Sequence, residues 1–224
     1  MATVEESLAS TANTAVEVEF RVHRVPFFLE PGYMNQPEDF TEPHDTRMVR
    51  KFGSQAAFDR VKASHGLIPR GNEVGLDASI GYTQEALSRR VQSSTLASHR
   101  LVRFVAVRHG WRVSEELYSV LSRKHFLEAG VLNSKALLLE ACTEVAAVDT
   151  AACQAFLDSD EGTQDVLDVY QHVTDMGINS IPTVVVNGKY LVNGAARADE
   201  YVDLFTQILQ SSSDGAEGGT LFSN

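Results

Sequence analysis

The chain has 224 residues, 43% of them hydrophobic and 22% charged, which is enough to bury a sizeable core in one domain. Its formal net charge of -11 argues against a nucleic-acid or anionic-membrane partner, because a phosphate-binding surface needs clustered lysines and arginines. No apolar stretch approaches the roughly 20 residues that span a bilayer. We therefore expect a soluble protein without nucleic-acid or membrane partners.

The first part of the chain predicts a strand followed by a loop. Apolar and polar residues alternate from Val16 to His23, which is the period of a half-buried strand, so we predict a strand over 16–25. The stretch "EPGYMNQPEDFTEPHD", residues 30–45, is dense in Pro, Gly, Asn and Asp and predicts an irregular loop. Residues 16–45 are therefore assigned to a strand and a loop.

The middle of the chain predicts only helices. From about residue 46 to 160, apolar residues recur at steps of three and four, with Ser, Thr or Asn before most segments and Gly after them. Gly53 interrupts the first segment, and several Gly and Pro residues after 65 end it. The predicted helices cover 46–65, 93–110, 114–130, 133–147, 150–162 and 163–177.

After Gly177 the pattern changes to β. The runs "PTVVV" and "YLVNG" flank the turn signal "NGK", which predicts a hairpin over 182–193. An amphipathic helix is predicted over 196–210, and the polar, Gly-rich segment 211–224 is predicted to be disordered. A strand, a helical block, a hairpin and a helix together indicate an α/β layer arrangement with an all-helical insertion at about 46–160.

The two cysteines do not form a recognisable site. The spacing of Cys142 and Cys153 matches neither a redox C-x-x-C nor a zinc site, and Cys142 lies among Leu138, Leu139 and Ala141 like a buried apolar residue. The seven histidines show no metal-ligand spacing, so no metal is predicted. The acidic start "MATVEESLAS" lacks an export signal, and so few cysteines fit a reducing compartment, which predicts a cytoplasmic protein.

Four motifs resemble the DsbA-like thioredoxin proteins, in particular their FrnE-like branch. They are "RKFG" at 50–53, "SSTLASHRL" at 93–101, "FLDSDEG" at 156–162 and "GINSIPTVVVNGKYLVNGA" at 177–195. The resemblance runs from about residue 16 to 210 and implies a thioredoxin-like fold with a helical insertion. It also implies a thiol-disulfide oxidoreductase, or a relative of the glutathione-dependent 2-hydroxychromene-2-carboxylate isomerases and kappa-class glutathione transferases.

The resemblance implies a substrate-binding site at Ile181 and Pro182. In the family the proline at this position is cis, and the residue before it offers backbone groups to an extended peptide or to glutathione. The sequence alone favours a trans proline at the first position of a strand, where a missing N–H is tolerated. The implied partners are therefore an extended peptide, a protein thiol or glutathione, and glutathione is the only cofactor considered.

The chain departs from the family at its start. Members have a first strand that runs into a C-x-x-C, or a Ser in the isomerase and transferase branches, at a helix N-terminus. Only about fifteen residues precede the predicted strand here, and 1–15 match the end of that helix at best. We therefore expect an α/β, thioredoxin-like fold whose first strand and active-site loop are missing. No catalytic residue is assigned, and a stable monomer is not expected, because the missing strand is central and leaves sheet edges open.

Two other candidates have simpler explanations. His99 lies in the part of the insertion that covers the site in the family, but a lone helical histidine is more often a packing or surface residue, and Arg100 and Arg103 are expected to solvate its turn. Residues 93–95 are better explained as helix N-cap residues than as nucleophiles.

Three functional hypotheses follow. The first is a DsbA-like oxidoreductase family protein that is inactive in dithiol exchange as written, because the sequence holds no C-x-x-C. The second is a glutathione-dependent isomerase or transferase relative, which needs only a Ser in the missing loop. The third is a non-catalytic module that binds a peptide or partner through the hairpin and its open edge.

Overall fold

A computed structural model describes residues 18–65 and 89–213. The chain divides into two compact units, of which one comprises residues 1–20 and 178–224 and the other residues 21–177. The helical remnant predicted at 1–15 and the part of the predicted disordered tail after 213 lie outside the described residues.

Helices dominate the described part of the larger unit, as predicted. Their bounds are α1 His44–Phe52, α2 Gln55–His65, α3 Leu96–His109, α4 Trp111–Phe126, α5 Lys135–Glu144, α6 Thr150–Leu157 and α7 Thr163–Asp175. A 3-10 helix, Pro31–Asn35, precedes them within the segment predicted as a loop. Gly53 separates α1 from α2 with φ 81°, a left-handed conformation that glycine adopts without steric cost, and this confirms the predicted interruption.

Helix α3 is the centre of the larger unit and packs against α4, α5, α6 and α7. Leu101 and Val105 on α3, Leu117 on α4 and Leu138 on α5 are all fully buried in one hydrophobic core. The apolar residues recur at helical spacing, so each helix turns one face to this core. On another side of α3, the side chains of Arg103, Val107 and Arg108 are exposed to solvent.

A two-stranded antiparallel sheet also belongs to the larger unit. Strand β1, Thr41–Pro43, pairs with β2, Val91–Ser93, in a register that places Glu42 opposite Gln92. The insertion predicted over 46–160 is thus not all-helical, since β2 falls within it. Strands of three residues are too short to show a period in the sequence, which explains why the prediction missed them.

The strand predicted over 16–25 is wrong for its described part. Residues 18–28 have no regular secondary structure, although Val18, Phe20 and Val22 are half-buried while Glu19 and Arg21 are exposed. The alternation in the sequence therefore predicted the burial correctly. A strand also needs a hydrogen-bonded neighbour, and none of the strands in the described residues pairs with this segment.

The described part of the smaller unit consists of a hairpin and a helix. Strands β3, Thr183–Val186, and β4, Tyr190–Asn193, confirm the predicted hairpin, and α8, Ala198–Ser213, confirms the predicted helix. Helix α8 continues through residues 211–213, which were predicted as disordered tail. Ile208 of α8 is buried, and the ring of Phe205 lies 5.0 Å from the ring of Phe20.

No helix among residues 18–65 and 89–213 is long and apolar enough to cross a membrane.

Candidate functional site

The turn of the hairpin shapes the candidate site. Asn187 and Gly188 have φ of 51° and 64°, and the N–H of Lys189 donates to the carbonyl of Val186 at 3.0 Å. Positive φ at both central residues is the geometry of turns whose twist matches the twist of the strands, and Asn-Gly is the pair that adopts it most readily. The turn therefore holds β3 and β4 in a fixed register.

The register determines which backbone groups of β3 face away from β4. The N–H of Gly194 donates to the carbonyl of Pro182 at 2.9 Å, so the backbone of Pro182 faces β4. In an antiparallel pair this direction alternates along the strand. The N–H and C=O groups of Thr183 and Val185 consequently face the opposite edge, which we call the outer edge of β3. No strand of the described residues pairs with this edge.

Ile181 and Pro182 directly precede the outer edge. The peptide bond between them is cis. The side chain of Ile181 is 49% exposed, and its backbone makes no hydrogen bond to any described residue. The hydroxyl of Thr183 donates to the carbonyl of Ser180 at 2.8 Å, which anchors the segment before the strand. An exposed apolar side chain and free backbone groups thus occur together here.

Comparison with protein families decides the identity of the chain. The model of the DsbA-like thioredoxin domain matches residues 3–206. The chain belongs to this family. A solved structure of a probable DsbA oxidoreductase from Streptomyces coelicolor is similar over 99% of this chain and 86% of that chain, with a TM-score of 0.68 and 23% sequence identity. No curated protein sequence matches significantly.

Family membership assigns the fold. The DsbA-like chain has a thioredoxin-like α/β fold in which helices predominate and the sheets are small. Its hairpin and terminal helix, and the helical region before them, follow the predicted order.

The two cysteines of this DsbA-like chain are core residues. Cys142 on α5 and Cys153 on α6 are free thiols with no exposed surface, and both belong to the main hydrophobic core. Burial raises the pKa of both thiols, so both stay protonated at neutral pH. Because the thiolate is the nucleophile in disulfide exchange, neither residue is suited to that reaction. The prediction that they pack as small apolar residues is confirmed.

His99 packs inside the larger unit. Its Nε2 lies 3.3 Å from the carbonyl oxygen of Phe27, and its ring is 5.2 Å from the ring of Phe28 in an edge-to-face arrangement. Burial lowers the pKa of His99 to about 4, against a weaker opposing effect of the Phe27 carbonyl. The imidazole is therefore neutral at pH 7, and the packing explanation is confirmed.

The expectation that Arg100 solvates this turn is wrong. Arg100 is only 9% exposed, and its guanidinium donates to the carbonyl oxygens of Ser159 at 2.6 Å and Glu161 at 2.8 Å. The Nε also donates to the carbonyl of Glu161 at 2.9 Å, and a longer hydrogen bond of 3.4 Å reaches the carbonyl of Phe156. Arg100 thus satisfies carbonyl groups at the end of α6 and in the loop that follows it. Arg103, in contrast, is exposed as expected.

The cap predicted at residues 93–95 differs in detail. Ser93 belongs to β2, and Thr95 is the N-cap residue of α3 but makes no side-chain capping bond. Ser94 provides a weak substitute, since its Oγ accepts from the N–H of Leu96 at 3.3 Å. None of the three lies in a nucleophilic arrangement with a described histidine.

Within the described residues, no three His, Cys, Asp or Glu side chains come together as ligands for a metal ion.

Acid should destabilise the chain through its buried histidines. His125 is 8% exposed, its Nδ1 lies 2.8 Å from the carbonyl oxygen of Gly130, and burial lowers its pKa to about 4. An unfolded histidine has a pKa of about 6.5, so between pH 6.5 and 4 the unfolded state binds more protons. Stability is full above pH 6.5 and falls as the pH approaches 4, by about 1.4 kcal/mol for each unit of pKa difference.

Chemical denaturation across this pH range measures the effect. The His125→Asn variant keeps a donor for Gly130 but does not titrate, so its stability should fall less with acid than that of the unmodified chain. His109→Asn is the matched control, because His109 is exposed at the end of α3. Equal pH profiles for His125→Asn and the unmodified chain would contradict the prediction.

Proposed function

We propose that the chain acts in thiol-disulfide exchange as the part of a FrnE-like, DsbA-like oxidoreductase that binds the substrate. In this proposal the outer edge of β3 holds an extended segment of a substrate protein. Ile181 and Pro182 begin the binding site, and Thr183 and Val185 extend it. The observation that carries the proposal is the exposed Ile181, whose backbone makes no hydrogen bond within the described residues.

Main-chain pairing fits such a substrate. A sheet edge with free N–H and C=O groups binds an extended peptide through its backbone, whatever its side chains are. The outer edge of β3 offers such groups on Thr183 and Val185, and the exposed side chain of Ile181 directly before the strand adds an apolar contact. A disulfide oxidoreductase acts on many sequences, and backbone recognition meets that requirement.

The proposal assigns no redox chemistry to these 224 residues. The sequence contains no C-x-x-C, and its two cysteines are buried and protonated. Dithiol exchange needs a thiolate that attacks a disulfide sulfur and a second thiol that resolves the mixed disulfide. We propose that a dithiol outside these residues supplies that step. We also propose a cytoplasmic location, which the two free native thiols support.

Two experiments test the proposal separately. In the first, the chain is added to insulin and dithiothreitol, and reduction of the insulin disulfides is followed by turbidity. We expect the unmodified chain to reduce insulin at the same rate as a control variant in which Cys142 and Cys153 are both replaced with alanine. A rate clearly above that control would show that these residues carry the redox chemistry after all.

The second experiment measures binding of an extended peptide, the S-carboxymethylated B chain of insulin, by fluorescence anisotropy. The Thr183→Pro variant removes an N–H that faces away from β4, so the hairpin should persist while binding weakens by about tenfold. Thr183→Val is the matched control, since it loses the hydroxyl and keeps the N–H. Unchanged binding by Thr183→Pro would refute the outer edge as the site.

Chromatography on immobilised glutathione tests the alternative that the chain binds glutathione and not a protein substrate. Retention of the chain on glutathione, together with no binding of the peptide, would favour the isomerase or transferase relatives over the proposed function. Peptide binding without retention would support recognition of a protein substrate.

A further inference from the structure

A pocket opens on the larger unit, and no residue of the hairpin lines it. It has a volume of about 130 Å³ and lies between α3, the end of α6 and the start of α7. Pockets for drug-sized ligands have volumes of about 300–1,000 Å³, so an occupant of this one is small. The pocket is independent of the proposed function, because no residue of the outer edge lines it.

One face of α3 supplies most of the wall. Arg100, Arg103, Phe104, Val107 and Arg108 all line the pocket, and each lies three or four residues from at least one other along the helix. Such steps place side chains on the same helical face. Val107 is 75% exposed, although the opposite face of the helix is buried in the core. This face therefore combines apolar and cationic side chains at the surface.

Two aromatic rings form the apolar floor and also orient two of the arginines. The rings of Phe104 and Phe156 are stacked with their centroids 4.2 Å apart. The guanidinium of Arg108 lies 4.3 Å from the centroid of Phe104, and that of Arg100 lies 5.0 Å from the centroid of Phe156. Stacking of this kind is attractive and fixes a guanidinium in place, so the two cations are held next to the floor.

Arg100 contributes an available donor group. The residue is 9% exposed, and its Nε and Nη2 are used by the carbonyls of the loop after α6. Its Nη1 makes no hydrogen bond to any described residue and is not sealed from solvent. A guanidinium carries donors on all three nitrogens, and a buried one is expected to use them. One side of Arg100 thus remains free at the pocket that it lines.

The charges around the pocket favour an anion with a single charge. Neither Arg103 nor Arg108 forms an ion pair with a carboxylate of the described residues. Two carboxylates, Glu161 and Asp165, also line the pocket, so three arginines leave a single excess positive charge. A multiply charged anion would be repelled by these carboxylates. A monoanion balances the single excess positive charge of the lining.

We propose that this pocket binds a small organic monocarboxylate. Its carboxylate accepts hydrogen bonds from Arg100 and Arg103 at the rim, and its apolar body lies against Phe104, Val107 and Phe156. Guanidinium groups match carboxylates because both are planar and form paired, charge-assisted hydrogen bonds. The stacked rings exclude water from the apolar body, which distinguishes the site from a simple phosphate-binding surface.

Titration of the full 224-residue chain with hexanoate tests the proposal, followed by the methyl resonances of Val107 in NMR spectra. A dissociation constant of about 1 mM is expected for a ligand with so few atoms. Hexanamide, a neutral analogue of equal length, should bind at least about tenfold more weakly, because it lacks the charge. Inorganic phosphate should also bind more weakly than hexanoate, because it lacks the apolar body.

Variants test the two parts of the site. Arg103→Gln should weaken hexanoate binding by about tenfold, and Val107→Asp should weaken it as much by repelling the carboxylate. Arg60→Gln on α2 is the matched control, since it removes the same charge from another exposed position. Both variants change exposed side chains, and circular dichroism verifies that they fold.

Three results would overturn the proposal. Equal affinity for hexanoate and hexanamide would leave no role for the arginines. Equal affinity of Arg103→Gln and Arg60→Gln would place the carboxylate elsewhere. Tighter binding of inorganic phosphate than of hexanoate would make the pocket a phosphate site. None of these results bears on the peptide-binding experiment, because that site lies on the hairpin.

Discussion

Replacement of Arg100 with alanine should lower the free energy of unfolding by about 3 kcal/mol, because the carbonyls of Phe156, Ser159 and Glu161 would lose their donors. Removing one partner of a buried hydrogen bond costs about 1–3 kcal/mol, and one guanidinium here serves all three carbonyls. The measurement is urea denaturation followed by circular dichroism, with the free energy of unfolding extrapolated to water.

Arg103→Ala is the control for this experiment. It lies one turn further along α3, removes the same type of side chain and charge, and is exposed. A change within about 0.5 kcal/mol is expected for such a surface position. If the two variants were equally stable, the hydrogen bonds of Arg100 would not contribute to the fold as described.

Leu117→Ala should lower the free energy of unfolding by about 2–5 kcal/mol, since Leu117 is 0% exposed and lies in the core between α3 and α4. The loss combines the burial of the removed methyl groups with the cavity that they leave. The core is formed by several helices packed around α3, so it cannot collapse easily onto the space. Thermal and urea unfolding both measure the effect.

Leu29→Ala provides the comparison in the same unit. Leu29 is 57% exposed, so truncation removes little buried surface, and a loss below about 1 kcal/mol is expected. Similar losses in both variants would mean that Leu117 is not part of a tightly packed core.

Local patterns predicted the helices and the hairpin well. The periodicity of apolar residues and the glycines at segment ends are properties of neighbouring residues, and they set helices such as α3 and the separation of α1 from α2. The Asn187-Gly188 turn likewise specifies the hairpin by itself. Ile181 and Pro182, in contrast, were named as a binding site through the family resemblance and not from the local pattern, and they directly precede β3.

Long-range features were not predictable in this way. Arg100 reaches carbonyls that lie 56 to 61 residues further along the chain, so no local pattern distinguishes it from the exposed Arg103. The strand predicted at 16–25 failed for the same reason, because strand formation depends on a neighbour that the pattern does not contain. The pocket combines α3 with residues 156–165, and its lining became evident only in three dimensions.

The buried cysteines make the chain convenient for spectroscopy. The sequence has no other cysteine, and both thiols are inaccessible and protonated, so maleimide and thiosulfonate reagents find no target in the native state. A cysteine introduced on the surface would then be the single attachment point for a dye or spin label. Distances within each unit are therefore measurable without first removing the native residues from the core.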